Sequence, residues 1–126
     1  MKVNKTLEIE SRYNYYFDVL AIKIADPYEY QESIELEEGI ILDFDTNNIP
    51  VAIEILDASK VLNVPDKQYL SNRKKIKMKI SISEKVIEVH LNVNIEIHNK
   101  KEIMSFNSLA INDINAPVME TELASV

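Results

Sequence analysis

Asp43, Asp45, Asn47 and Glu54 occupy positions 1, 3, 5 and 12 of a calcium-loop pattern, with Asn48 where such a loop has its glycine. Hard cations take oxygen ligands, so carboxylates at this spacing could gather one. The setting argues otherwise, because calcium loops join helices and these residues fall on runs that alternate like strands. A solvated acidic face is the simpler expectation, and a weak divalent-cation-binding protein using that hairpin face is the alternative. Asp43, Asp45, Glu54 and Asp57 are accordingly the candidate contacts for a basic protein partner.

Other chemistry is thinly supplied. His90 and His98 alternate onto one polar face, eight residues apart. At ~3.4 Å per residue they stand too far apart to share a metal unless the strand bends. No Ser, Cys or Asp adjoins either one, so a nucleophilic triad has no local support. The chain has no Cys, which removes disulfides and thiolate metal sites. Gly39 is the only glycine, which removes glycine-rich phosphate cradles. No catalytic residue, metal site or cofactor is assigned, and the protein is read as not an enzyme. Residues 73–79 (RKKIKMK) could meet an acidic partner, but Ile76 and Met78 alternate inward and leave the lysines on a solvated face, one that could be a sheet edge. Tyr13, Tyr15 and Tyr16 could form a recognition patch; strand packing is the expected role.

Charge is distributed unevenly. Residues 1–63 carry five Lys/Arg against thirteen Asp/Glu, and residues 64–126 carry nine against eight. A net charge of −7 argues against general affinity for nucleic acid, where phosphate neutralisation drives binding. It suits a soluble protein or one with a basic partner. No apolar run approaches the ~18 residues of a membrane span and no leader is evident, so no membrane partner and a cytoplasmic location are expected.

The elements that must position these residues follow from apolar periodicity. With 126 residues, 46% of them apolar, the chain can build one ordinary core. Strands are expected at residues 3–9 (Val3, Leu7, Ile9), 12–17, 18–24 and 34–37. Residues 39–59 (GIILDFDTNNIPVAIEILDAS) read as a hairpin turning at Asn47-Asn48, since Asn tolerates positive φ. That register pairs Phe44 with Val51 and Leu42 with Ile53. A one-residue slip would bury the carboxylates, so the pattern itself sets the register. Pro50 suggests an edge strand or a position bonded on one side only. Asp57-Ala58-Ser59 resembles a helix start capped by its own side-chain oxygens, and Pro65-Asp66 opens a second short turn of helix through Leu70. Alternation resumes at 76–82, continues from Ile87 to His98, turns at Asn99-Lys100 and returns through Ile103, Met104 and Phe106, with Leu109 and Ile111 as an extension. Residues 114–126 show little periodicity and read as a partly ordered tail. Shifted by 53 residues, the apolar positions of the two halves fall in phase (Ile34 on Ile87, Leu42 on Ile95, Ile53 on Phe106), which raises a pseudo-repeat of units 1–63 and 74–113 within a single domain. Any two alternating hairpins would also align this way.

Three segments, residues 18–24 (DVLAIKI), 38–45 (EGIILDFD) and 53–59 (IEILDAS), resemble the domain-of-unknown-function family numbered 2283, over roughly residues 1–62. Asn48 stands in place of that family's turn glycine, and the small residue before Ile-Glu-Ile is Ala52 rather than glycine. The resemblance implies a small α+β unit whose antiparallel strands end in a short helix after Asp-Ala-Ser. It brings no activity, cofactor or catalytic residue; by analogy alone, similar small proteins suggest an antitoxin-like role. The expected protein is α+β, mainly antiparallel β-sheet built from hairpins, with one short helical segment near the middle. It is expected to act as a protein–protein interaction or structural module, with a basic partner protein or a homodimer as its assemblies.

Overall fold

The computed structural model describes residues 6–37 and 39–125, and strands form in it where apolar residues alternate. Val3 and Val126, assigned above to the first strand and the tail, lie outside the described residues. In chain order the strands are β1 (Thr6–Asn14), β2 (Val19–Ile24), β3 (Tyr30–Glu35), β4 (Ile40–Asp45) and β5 (Pro50–Ile55). Two short helices follow, α1 (Ala58–Val61) and α2 (Lys67–Ser71), then β6 (Ile76–Ile82), β7 (Val86–Ile97), β8 (Lys100–Ile111) and β9 (Met119–Ala124). The described strands form one sheet in the order β3-β4-β5-β2-β1-β9-β6-β7-β8.

Two antiparallel arms, β1-β2-β5-β4-β3 and β9-β6-β7-β8, meet at a parallel pairing of β1 with β9 through Thr6–Glu122, Leu7–Leu123 and Glu8–Ala124. Parallel strands need a long connection between them, and here nearly the whole chain supplies it. The inward residues of both arms belong to one apolar cluster that includes Leu20, Phe44, Ile53, Met78, Leu91 and Leu123, together with Leu62 and Leu70 of the helical segment. Helix α2 touches both β1 and β7, so it bridges the arms across the concave side.

Several sequence expectations change. The first two aromatic and apolar runs form a single strand β1, and Tyr15, Tyr16 and Phe17 leave it for an exposed turn, so Tyr15 and Tyr16 do not pack in a strand. Leu42 pairs with Ile53 as expected, but Phe44 pairs with Pro50 because Val51 is an extra residue in a bulge. Strand β5 lies between β4 and β2, so it is not an edge; Pro50 at its start pairs with β4 alone, the one-sided position given as the alternative. The helical segment near the middle consists of the two short helices whose starts were expected, of which only α2 is capped by the side chain of its own N-cap residue, Asp66, which accepts the Gln68 amide at 2.8 Å. Strand β6 is internal, so its lysines do not guard an edge; Lys77 pairs with Glu122 of β9 at 3.3 Å. The turn after β7 is His98-Asn99, both at positive φ, which removes His98 from the strand face. Residues 34–44 form two antiparallel strands, whereas 87–97 form one, so the phase match between halves does not extend to topology.

The largest difference concerns the tail. Residues 119–124 form β9, bonded on both sides, with Met119, Thr121 and Leu123 buried. Truncation before Met119 would unpair β1 and β6 together and should abolish cooperative folding. Leu123→Ala should cost about 3 kcal/mol, within the usual span for a fully buried leucine. Urea unfolding followed by circular dichroism checks both; a truncated chain that unfolds with the same midpoint would refute the central role of β9.

Candidate functional site

The hairpin of β4 and β5 sets the position of the candidate carboxylates. Asp45 closes its turn: the Asp45 amide donates to the Ile49 carbonyl at 2.9 Å, and the Asp45 carboxylate accepts the amides of Asn47 at 2.9 Å and Ile49 at 3.0 Å. Asn48 takes positive φ (59°), the conformation that Asn tolerates. At the opposite end of the hairpin Gly39 adopts φ 81°, a value that favours glycine, and its carbonyl accepts the Leu56 amide at 2.8 Å. Asp57 also lies at that end. The four candidates therefore separate. Asp45 holds a turn, Asp57 enters α1 at the far end, and only Asp43 and Glu54 share the outer face.

Register explains what surrounds that pair. One row across the strands runs Asp43, Ala52, Lys23, Glu10, and the next runs Ile41, Glu54, Ala21, Arg12. Two alanines at the centre leave a depression among longer side chains. The result is a cleft of about 240 Å³, with Glu10, Arg12, Lys23, Tyr28, Asp43 and Glu54 among its lining. Lys23 and Glu10 form an exposed ion pair at 3.7 Å, worth little in stability. Asp43 accepts the Ser33 hydroxyl at 2.6 Å. Burial, and then the charge of Asp43, push the Tyr28 hydroxyl pKa up, so Tyr28 is a neutral donor at physiological pH. The acidic hairpin face thus adjoins Lys23 of β2 and Arg12 of β1, so the cleft carries both signs, with Asp43 and Glu54 diagonal across β4 and β5.

A second carboxylate, absent from the candidates, is more deeply engaged. Asp18 is 5% exposed and sits at φ 54° between β1 and β2. Its Oδ1 accepts the Tyr13 hydroxyl at 2.6 Å and the Ser59 amide at 3.0 Å; its Oδ2 accepts the Ser59 hydroxyl at 2.6 Å. The Asp18 carbonyl accepts the Ala58 amide at 2.9 Å. Asp57, expected to cap α1, makes no side-chain cap bond and is itself left-handed, so the cap comes from Asp18. Burial raises the carboxyl pKa, but the Ser59 hydroxyl, the Tyr13 hydroxyl, the Ser59 amide and the charge of Lys67 together outweigh it and hold the pKa below the usual carboxylate value. Burial and the bond to Asp18 raise the Tyr13 hydroxyl in turn. With both oxygens engaged and no histidine among its partners, the group is a structural cap.

The remaining candidates disperse. His90 is exposed and hydrogen-bonds Asn107 across β7 and β8. His98, exposed in its turn, lines a shallow cleft with Tyr69, Arg73, Lys74 and Glu96. Arg73 departs from the lysine run: its Nε donates to the Ser11 hydroxyl at 2.9 Å and its Nη1 to the Leu70 carbonyl at 3.0 Å, tying α2 to β1. Tyr15 stands edge-on to Tyr16 with Lys67 over its ring at 5.6 Å. Among the described residues no group of three His, Asp or Glu side chains is placed to hold a metal ion, so nothing gathers around Asp43, Asp45 and Glu54 as a cation loop. No described helix is long and apolar enough to cross a membrane.

Asp18→Asn should destabilise the fold by about 2 kcal/mol: the remaining amide oxygen can still accept the Ser59 amide and the Tyr13 hydroxyl, but without the carboxylate charge, and a donor NH2 replaces the oxygen that accepts the Ser59 hydroxyl. Because the folded pKa is depressed, the contribution of the carboxylate is fully present above its unfolded pKa of about 4 and is lost as pH falls through the lower folded value. The stability gap between wild type and Asp18→Asn should therefore be constant from pH 6 to 8 and close below pH ~4, read by urea unfolding at each pH. A gap independent of pH down to 2 would refute it.

Comparison with known proteins places these features in company. The family model described as a protein of unknown function, DUF2283, matches residues 11–59, which contain Tyr13, Asp18, the hairpin and Ser59. A protein of Methanosarcina mazei named a putative hypoxanthine phosphoribosyltransferase is 37% identical over 90 residues, covering 71% of this chain and 72% of the relative. No solved structure matches the chain.

Proposed function

The chain belongs to the DUF2283 family of uncharacterised proteins, and from that premise we propose that it is a non-enzymatic protein–protein interaction module that receives a basic side chain of a partner protein in the outer cleft. One observation carries this reading: Asp43 and Glu54 stand diagonally over a floor of Ala21 and Ala52. Diagonal neighbours on paired strands are ~7–8 Å apart, a gap that one guanidinium or ammonium group can bridge. The alanines accept the aliphatic stem of such a side chain, and Tyr28 offers a neutral hydroxyl beside it. The acidic first half of the chain adds long-range attraction for a basic protein. An antitoxin-like role, in which that protein is a basic toxin, is one concrete form of the proposal.

The name of the Methanosarcina relative offers a different reading, a hypoxanthine phosphoribosyltransferase. Nothing in the cleft favours it here. The chain has one glycine, committed to the left-handed turn before β4, and Asp43 and Glu54 would repel a phosphate.

Asp43→Lys combined with Glu54→Lys should remove the partner from low-salt co-purification while leaving the unfolding midpoint nearly unchanged, since both side chains lie on the outer face. Wild-type binding should weaken at least tenfold between 50 and 500 mM salt, as expected for an exposed charged contact. Undiminished capture by the double variant, or conversion of hypoxanthine to its nucleotide by the purified protein, would overturn the reading.

A further inference from the structure

Strands β3 and β8 end the described sheet, and their edges differ in protection. Edge strands expose unpaired backbone groups, and proteins guard them with charge, short length or bulges. Strand β3 has all three: it is six residues long, carries Glu32 and Glu35, and bulges between Tyr30 and Glu32 against β4. Strand β8 has none of them along most of its length. It runs for twelve residues, pairs with β7 without a bulge, and from Ile103 to Ile111 contains no charge and no proline.

The direction of its backbone groups follows from one bond. Asn112 donates its amide to the Lys85 carbonyl, in line with the register that pairs Val86 with Ile111. In an antiparallel ladder alternate residues bond alternate neighbours. Even-numbered residues of β8 therefore bond β7, and Lys101, Ile103, Ser105, Asn107, Leu109 and Ile111 direct N–H and C=O to the open edge. The side chains of these six residues also share the outer face, where Ile103 is 64%, Leu109 53% and Ile111 75% exposed.

We infer that β8 is the interface of a homodimer, pairing antiparallel with β8 of a second copy about a twofold axis at Phe106. That register bonds Ile103 with Leu109 of the second copy, Ser105 with its Asn107 and Lys101 with its Ile111, then repeats each pair by symmetry. All six outward residues of each copy find partners, whereas sliding by two residues leaves outward groups unmatched at the ends. Ile103 and Leu109 meet twice across the axis as apolar cross-strand pairs, and the lysines at 100 and 101 of the two copies lie at opposite ends. This self-complementarity belongs to the strand paired with itself and would have to be supplied independently by a foreign strand. The interface is remote in sequence from the Asp43–Glu54 cleft and stands or falls separately from it.

Sedimentation velocity across a wide concentration range should show wild-type protein passing from 14.5 kDa to twice that mass. Ile103→Lys combined with Leu109→Lys places lysine opposite lysine at both 103–109 pairs and should weaken association more than about tenfold. Ile103→Lys combined with Leu109→Glu removes the same apolar side chains but sets lysine opposite glutamate twice, and should restore the dimer. Both positions are exposed, and circular dichroism confirms that each variant folds. Wild-type protein monomeric throughout, a persistent dimer in the lysine pair, or a monomer in the lysine–glutamate pair would each overturn the inference.

Discussion

A buried carboxylate organises the first arm. Asp18 lies at the junction of β1, β2 and α1, and desolvating its charge costs several kcal/mol unless donors compensate. Tyr13 from β1 and both donors of Ser59 from α1 provide that compensation, at 2.6 to 3.0 Å. The result is a constraint on geometry. The chain must leave β5 so that Ala58 and Ser59 present their amides to Asp18, which lies 41 positions before Ser59, and this aims α1 over the concave face. Leu62 and Leu70 then enter the core, and Arg73 fastens the end of α2 to β1. A four-residue helix has little intrinsic stability, so its place in the fold comes from this anchor and from packing.

The second arm depends on the first through β9. This strand bonds β1 on one side and β6 on the other, which makes six C-terminal residues the seam of the sheet. Because closing so long a loop is entropically costly, the seam should form late, after each hairpin has formed locally. The shared cluster compensates: Leu123 packs among apolar residues drawn from both arms.

The hairpin of β4 and β5 and the long alternation of β6 and β7 were legible in the sequence because a period of two marks one buried face without any need for tertiary information. The Leu42–Ile53 pairing follows from that pattern alone. The bulge at Val51 was not legible, since alternation carries no signal for an extra residue beside a turn in which Asp45 accepts two amides. Strand β9 escaped notice because METELA buries a threonine between two apolar residues and follows closely on Pro117. Without β9 beside it, the lysine-bearing strand β6 has the pattern of an edge. Asp18 was invisible for a different reason. Its partner lies 41 residues away, and no local motif announces a cap delivered at that distance. The candidate site divides likewise. Asp43 and Glu54 are together because alternation puts them together, whereas the Ala21–Ala52 floor beneath them depends on the pairing of β2 with β5.

Strand periodicity also limits where function can reside. Each strand has two faces, and the concave face is filled by the apolar cluster and the helices that cross it. Among the described residues the convex face and the sheet edges offer different physics. The convex cleft presents charges of both signs over small side chains, a surface that discriminates by charge and weakens with salt. The β8 edge presents backbone donors and acceptors flanked by aliphatic side chains, a surface that discriminates by strand direction and register. Strand geometry thus divides the described surface between a charged face and a neutral edge.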